Sequence, residues 1–267
     1  MRDFEGAKEL FKDVIDTRQY FDSVSAELGK NKILEAIKEK NAPLIFVIAD
    51  PGEGKSYILR LTNEQIKKEH LTIFIDHPFF DKRDLLKMLY NAKGKFFDPS
   101  VNFNTLKEEI VKEYKDTNHT IFLDEAQLLN DEQFELVRIL SDTKVFQFVL
   151  SMHKEEGLAI LEKKHFKSRT KVIVYLQSLK VDEIKRYIDS TLLLNGYGDI
   201  SQMFKDSHIK LIAKYTNGNF RMIKKYLYSL FGLLAYAKKT GLVKYQKLNR
   251  CLLDMSALDI GLIDDKQ

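Results

Sequence analysis

The chain has 267 residues, 44% of them apolar and 31% charged, which excludes disordered and fibrous classes and allows one large domain or a core with a smaller companion. Its net charge of +4, from 43 Lys and Arg against 39 Asp and Glu, is too small by itself to argue for a nucleic-acid or membrane-surface partner. A lone cysteine, Cys251, excludes an internal disulfide and a Cys-based zinc site, Met1 to Glu5 lack a signal-peptide core, and no apolar run approaches the roughly 20 residues that span a bilayer, so the sequence reads as cytoplasmic.

Residues 1–42 read as helical, with Ile33, Leu34 and Ile37 on one face and Asn41-Ala42-Pro43 closing the segment. An uninterrupted apolar run, Ile45-Phe46-Val47-Ile48-Ala49, then breaks into Asp50-Pro51-Gly52-Glu53-Gly54 and resumes as a helix at Lys55. Leu71 to Asp76 is a second strand, followed by a helix over Asp81–Asn91, a loop over 93–103 holding Gly94 and Pro99, and a polar amphipathic helix over Asn104–Tyr114. Thr120 to Leu123, Val145 to Leu150 and Val172 to Leu176 supply three more strands. Strands alternating with helices predict a P-loop-type α/β fold, a parallel five-stranded sheet covered on both faces.

Beyond Leu179 only helical periods remain, over Val181–Asn195, Ser201–Tyr215, a stripe of Ile223, Tyr226, Leu227, Leu230, Phe231 and Leu234, and a last helix from about Tyr245 to Ala257. The expected division is therefore an α/β nucleotide-binding domain over 1–179 and an all-helical lid domain over 180–267.

The stretch from Ala49 to Ser56 has the order strand, glycine loop, helix that a triphosphate requires, because backbone N–H groups must curl inward at the positive end of a helix. The spacing is that of the Walker A pattern G-x-x-x-x-G-K-[ST], with Ala49 in place of the first Gly. Ala fits there if its φ stays negative. Pro51, Gly52, Glu53, Gly54, Lys55, Ser56 and Tyr57 would line the phosphates. Lys55 would reach the β- and γ-phosphates, and the Ser56 hydroxyl would be a ligand of Mg²⁺. The third strand runs into Asp124-Glu125, the Walker B arrangement, in which Asp124 holds Mg²⁺ and Glu125 polarises the attacking water. Such a pair also predicts a strand inserted between the acidic strand and the phosphate-loop strand.

Asp124-Glu125-Ala126-Gln127-Leu128-Leu129, then Leu136-Val137-Arg138-Ile139-Leu140, then a strand ending at Ser151, resemble the AAA+ ATPases of the ExeA/GspA secretion type and the related transposition helpers TniB and MuB. Asp76-His77-Pro78 with Arg83-Asp84-Leu85-Leu86, Ser168-Arg169, Gly218-Asn219-Phe220-Arg221 and Leu258-Asp259-Ile260-Gly261-Leu262 follow in the same order, so the resemblance covers nearly the whole chain.

That resemblance implies ATP as the nucleotide and a homo-oligomer with ATP at subunit boundaries. It makes Ser151, at the tip of the fourth strand, the polar sensor of the γ-phosphate, with His153 competing for the role. Arg169 takes the place of the arginine finger that reaches a neighbour's nucleotide; the alternative is a solvated basic turn within Lys163–Lys171. Arg221 corresponds to the lid arginine, and Phe220 departs from the Pro usual before it. The secretion-type relatives often continue through a membrane span into a periplasmic segment, whereas this chain stops near Ile263 with neither, so any attachment at the inner membrane is expected through a partner protein. Three readings follow: an ATPase assembling or powering a membrane-associated secretion or DNA-uptake apparatus; an ATP-dependent DNA-binding helper of transposition or replication, for which Lys163–Lys171 and Lys224, Lys225, Lys238 and Lys239 are the motivation; and a nucleotide-gated binding switch with negligible turnover, against which the intact Glu125 argues.

Overall fold

The computed structural model describes residues 3–14, 20–77, 79, 81–115, 119–167, 169 and 171–264. Pro78, Ser168 and Thr170, quoted above, lie outside the described residues, as do 1–2 and 15–19 of the expected N-terminal helix. In chain order the elements are α1 (Phe4–Glu9), α2 (Val24–Glu39), β1 (Leu44–Ala49), α3 (Lys55–Ile66), β2 (Leu71–Ile75), α4 (Lys82–Ala92), α5 (Phe103–Tyr114), β3 (His119–Leu123), α6 (Asp131–Asp142), β4 (Phe146–His153), α7 (Lys154–Glu162), α8 (Lys164–Lys167), β5 (Lys171–Tyr175), α9 (Val181–Leu194), α10 (Gly198–Ser201), α11 (Asp206–Thr216), α12 (Phe220–Lys239) and α13 (Arg250–Asp259). Short 3-10 turns cover Ala126–Leu128 and Val243–Tyr245.

Contacts divide the chain into an α/β unit, Val24–Pro51 with Lys55–Leu176, and a helical unit, Met1–Ser23, Gly52–Gly54 and Gln177–Gln267. In the α/β unit the five strands are parallel in the order β2-β3-β4-β1-β5. β4 is the strand inserted between the acidic strand and the phosphate-loop strand. Burial explains the order: every residue of β1 and β3 is buried, as near-continuous apolar runs demand in a sheet covered on both faces, while the edge strands β2 and β5 stay half exposed. β4 continues three residues past the expected Leu150, to His153, because Ser151 and Met152 are fully buried and keep pairing with Val47 and Ile48.

The helical unit is built on α12, whose Ile223, Tyr226, Leu227, Leu230, Phe231 and Leu234 are all buried. Phe4, Ala7 and Phe11, from a segment expected with the α/β domain, belong to this core: Phe11 stacks on Phe231 at 5.4 Å and meets Tyr187 edge-on at 5.9 Å. The expected helix from Ser201 starts at Asp206, since α10 ends at Ser201 and the chain turns before restarting. The last helix likewise starts at Arg250 rather than Tyr245, where Asn249 Oδ1 accepts the Leu252 N–H at 3.0 Å as its N-cap.

Between α11 and α12 the backbone passes through Gly218 at φ +71°, and the Leu179 N–H donates to its carbonyl at 2.8 Å. A Cβ there would stand 2.3 Å from the Leu179 carbonyl oxygen. Gly218→Ala is expected to cost about 2–4 kcal/mol, the sum of a left-handed backbone and a steric clash. Urea unfolding of the two proteins measures it, and a loss below about 0.5 kcal/mol would mean that the turn adjusts freely.

Candidate active site

The loop after β1 carries two left-handed glycines, Gly52 at φ +85° and Gly54 at φ +88°. Gly54 needs glycine for its φ alone, since a Cβ there meets nothing within 4 Å; Gly52 needs it for space as well, because a Cβ would lie 2.7 Å from Asn219 Oδ1. Ala49, the departure from the glycine pattern, ends β1 outside the positive-φ residues and carries no strain. α3 begins at Lys55, whose side chain is buried and curls back so that Nζ donates to the carbonyls of Ala49 at 3.1 Å and Asp50 at 3.2 Å. Ser56 and Tyr57 follow in the first turn, both half-buried, and Pro51 is exposed. Glu53 accepts the Ser178 hydroxyl at 2.5 Å, so its carboxylate is engaged within the helical unit.

The second half of the site is the end of β3. Asp124 is buried, with its N–H bonded to the Ile75 carbonyl at 3.0 Å. Its Oδ1 accepts the Ser151 hydroxyl and, at 3.1 Å, the Glu125 N–H. The same N–H lies 3.1 Å from Ser151 Oγ. Glu125 sits at φ +53°, a conformation that disfavours a residue with a Cβ by about 1–2 kcal/mol and that concentrates at functional sites. Its Oε2 accepts the Gln127 side-chain amide and lies 3.4 Å from His153 Nε2. The His153 N–H in turn donates to Gln127 Oε1 at 3.4 Å.

Within the α/β unit these groups occupy one edge of the sheet. Ala49, whose carbonyl holds Lys55, is in register with His153 of β4, and β3 pairs with β4 through Leu123 and Leu150. Lys55, Asp124, Glu125 and His153 therefore gather outside the carboxyl ends of three adjacent strands, where open α/β sheets bind ligands. Two left-handed glycines, an inward ammonium and a helix N-terminus fit a polyphosphate. Among the described residues no group of three or more His, Cys, Asp or Glu side chains could hold a metal by themselves, so Mg²⁺ would arrive with phosphate oxygens and take Ser56 and Asp124 as protein ligands.

The remaining expected residues are placed differently. Ser151 is not a strand tip; it lies two residues before the end of β4, fully buried, with its hydroxyl spent on Asp124. His153 is the residue at the tip of β4. Arg169 precedes β5 at the opposite, amino edge, where Nε and Nη2 each reach Asp142 at 2.9 Å. The pairing holds the Asp142 carboxyl below the usual carboxylate range. Arg221 lies in the first turn of α12, with its N–H on the Gly52 carbonyl at 3.1 Å and its Nε 3.4 Å from Asp13 Oδ2, so a carboxylate of the same unit answers the cation that opposes the helix dipole. Phe220 in place of Pro leaves α12 intact, because Asn219 caps it through Met222 N–H at 3.2 Å. Gln127, Asp142 and Asp13 went unmarked in the sequence as partners; only Gln127, two residues from Glu125, carried a local signal.

Residues 37–158, a little under half of the chain, match the family described as AAA domain. No curated protein matches the sequence. Among solved structures the chain is similar to the Walker-type ATPase PABY2304 of Pyrococcus abyssi, with 19% identity, TM-score 0.58, and coverage of 89% of this chain and 78% of that one. It is also similar to the Thermotoga maritima RuvB Holliday junction branch migration motor, with 17% identity, TM-score 0.60, and coverage of 96% and 75%. A chain in the structure of Drosophila ORC bound to DNA gives 15% identity, TM-score 0.66, and coverage of 98% and 67%. At these identities the structures speak for the fold, a P-loop AAA+ ATPase fold with a helical C-terminal part. With the AAA-domain match over residues 37–158, that fold supports an ATPase. Among the described residues no helix is long and apolar enough to cross a membrane.

Proposed function

We propose that the chain is a Mg²⁺-dependent ATPase that works as a homo-oligomer with ATP at subunit boundaries, and that it couples ATP binding and hydrolysis to the assembly or operation of a membrane-associated secretion or DNA-uptake apparatus. The observation that carries the enzymatic part is Glu125, held by Gln127 and His153 at the edge of the sheet where Lys55 curls into the phosphate loop. Lys55 binds β- and γ-phosphate oxygens, and the loop N–H groups orient them. Bound Mg²⁺ would offset phosphate charge, with Ser56 and Asp124 as its protein ligands and Ser151 fixing Asp124. Glu125 accepts the proton of the attacking water.

The apparatus is the finer part of the reading and rests on the ordered resemblance to the ExeA/GspA type. A cytoplasmic ATPase of this kind would meet the inner membrane through a protein partner. Some of the cations that motivate the DNA-helper reading are engaged within their units: Lys163 pairs with Asp131, Lys167 with Glu162 at 2.9 Å and Arg169 with Asp142, while the buried Lys224 donates to the Val14 carbonyl at 3.1 Å. Affinity capture from cells should return an envelope component. Its absence, together with salt-sensitive DNA binding that appears only with ATP, would replace the secretion reading with the DNA one.

Arg169 lies on the edge away from Lys55, so its assigned role requires a second subunit. Arg169→Ala subunits mixed with Lys55→Ala subunits are expected to recover part of the ATPase rate that each lacks alone. A confirmed mixed oligomer with no recovery would leave Arg169 as a surface cation.

A further inference from the structure

Arg169 is separated from its own unit's Lys55 by the length of the sheet. Lys171, two residues on, is in register with Leu44 at the start of β1, whereas Lys55 follows the other end of that strand. Six strand residues set the two edges about 16–20 Å apart, well beyond the reach of one side chain.

At the amino edge Arg169 belongs to a chain of alternating charges. Asp142 takes both its Nε and Nη2, and also accepts Arg138 Nη1 at 2.7 Å. Arg138 in turn forks onto Glu135. Arg169 and Asp142 line a cavity of about 570 Å³ beside Lys40 and Lys144, so the pair stands at an opening and not inside a packed core. A guanidinium forked onto a carboxylate has its charge offset and two of its donors used, and cannot serve a phosphate elsewhere while the pair lasts. Its departure does not orphan Asp142, because Arg138 remains on the same carboxylate.

We propose that Asp142 is a positioning residue that holds Arg169 against the subunit's own surface and yields it to the nucleotide phosphate of a second copy, Arg138 then keeping the carboxylate paired. This rests on the reading of Arg169 as acting in trans. The pair is partly exposed, so the hold is weak enough to be reversed by docking.

The test is phosphate release per subunit as a function of protein concentration, for the wild type, Asp142→Asn, Asp142→Glu, Arg138→Gln, Arg169→Ala and Asp142→Asn combined with Arg169→Ala. Asp142→Asn is expected to reach half-maximal rate at about two- to fivefold lower concentration, with its plateau unchanged. Asp142→Glu should follow the wild type, and Arg138→Gln, which removes the carboxylate's second partner, should need a higher concentration. In the Arg169→Ala background Asp142→Asn should do nothing. If Arg169→Ala lowers the plateau while Asp142→Asn and Arg138→Gln both superimpose on the wild type, Asp142 has no such role and Arg169 keeps its own. If Arg169→Ala equals the wild type, the trans reading fails and takes the proposal with it. A lowered Asp142→Asn plateau at unchanged circular dichroism would make Asp142 a fixed support and overturn release. Should Asp142→Asn fail to fold, the direction of the Arg138→Gln shift decides alone.

Discussion

Glu125→Gln is expected to leave ATP binding within about twofold of the wild type while phosphate release falls by about 10²–10⁴-fold, the range that a general base contributes. The substitution is nearly isosteric. The new carbonyl oxygen can still accept the Gln127 amide, and the left-handed backbone at φ +53° carries the same Cβ as before. The Glu125 N–H bonds to Asp124 and Ser151 are main-chain donations that the side chain does not make. What disappears is the capacity to take a proton from water. Nucleotide binding and single-turnover phosphate release, measured on the same preparation, separate the outcomes: equal rates would remove Glu125 from the chemistry, and lost binding would make its role structural.

Lys55→Ala acts one step earlier. The ammonium is the one inward charge of the phosphate loop, and its hydrogen bonds to Ala49 and Asp50 carbonyls set its position at the mouth. Charge-assisted bonds to phosphate oxygens contribute roughly 1.5–3 kcal/mol each, so ATP affinity should fall by about 10²-fold or more. Lys55→Arg should not restore it, since a planar fork replaces a compact point charge in a curl shaped by two glycines. A fluorescent ATP analogue titrated against both variants measures the effect. Wild-type affinity in Lys55→Ala would move the phosphate site elsewhere.

The parts of the fold that chemistry writes locally were legible. β1 and β3 declare themselves as uninterrupted apolar runs, and the glycines between β1 and α3 announce a turn that side chains with a Cβ would oppose. The end of β4 was not legible for a related reason. Ser151 and His153 break the apolar pattern because a strand that enters a polar site must carry polar residues, and the same break reads as a strand end. The grouping of the N-terminal segment was not legible, because α1 has only six residues in which to show an apolar face, and Phe11, just after it, meets Phe231 more than two hundred positions away. Asp142 and Arg169 lie 27 residues apart and meet only when α6 and the approach to β5 are folded. Nothing in the sequence marks the left-handed backbone of Glu125, because its Cβ gives none of the warning that a glycine gives.

The central claim is that the phosphate loop and the acidic end of β3 serve one Mg·ATP, and a double-mutant cycle on its two protein ligands tests it most directly. ATP affinity is measured with and without Mg²⁺ for the wild type, Ser56→Ala, Asp124→Asn and the double variant. Each single change should weaken binding only when Mg²⁺ is present, and the double variant should lose little more than the worse single one. Additive losses, or losses of the same size without the metal, would show that Ser56 and Asp124 do not share an ion and would contradict the account.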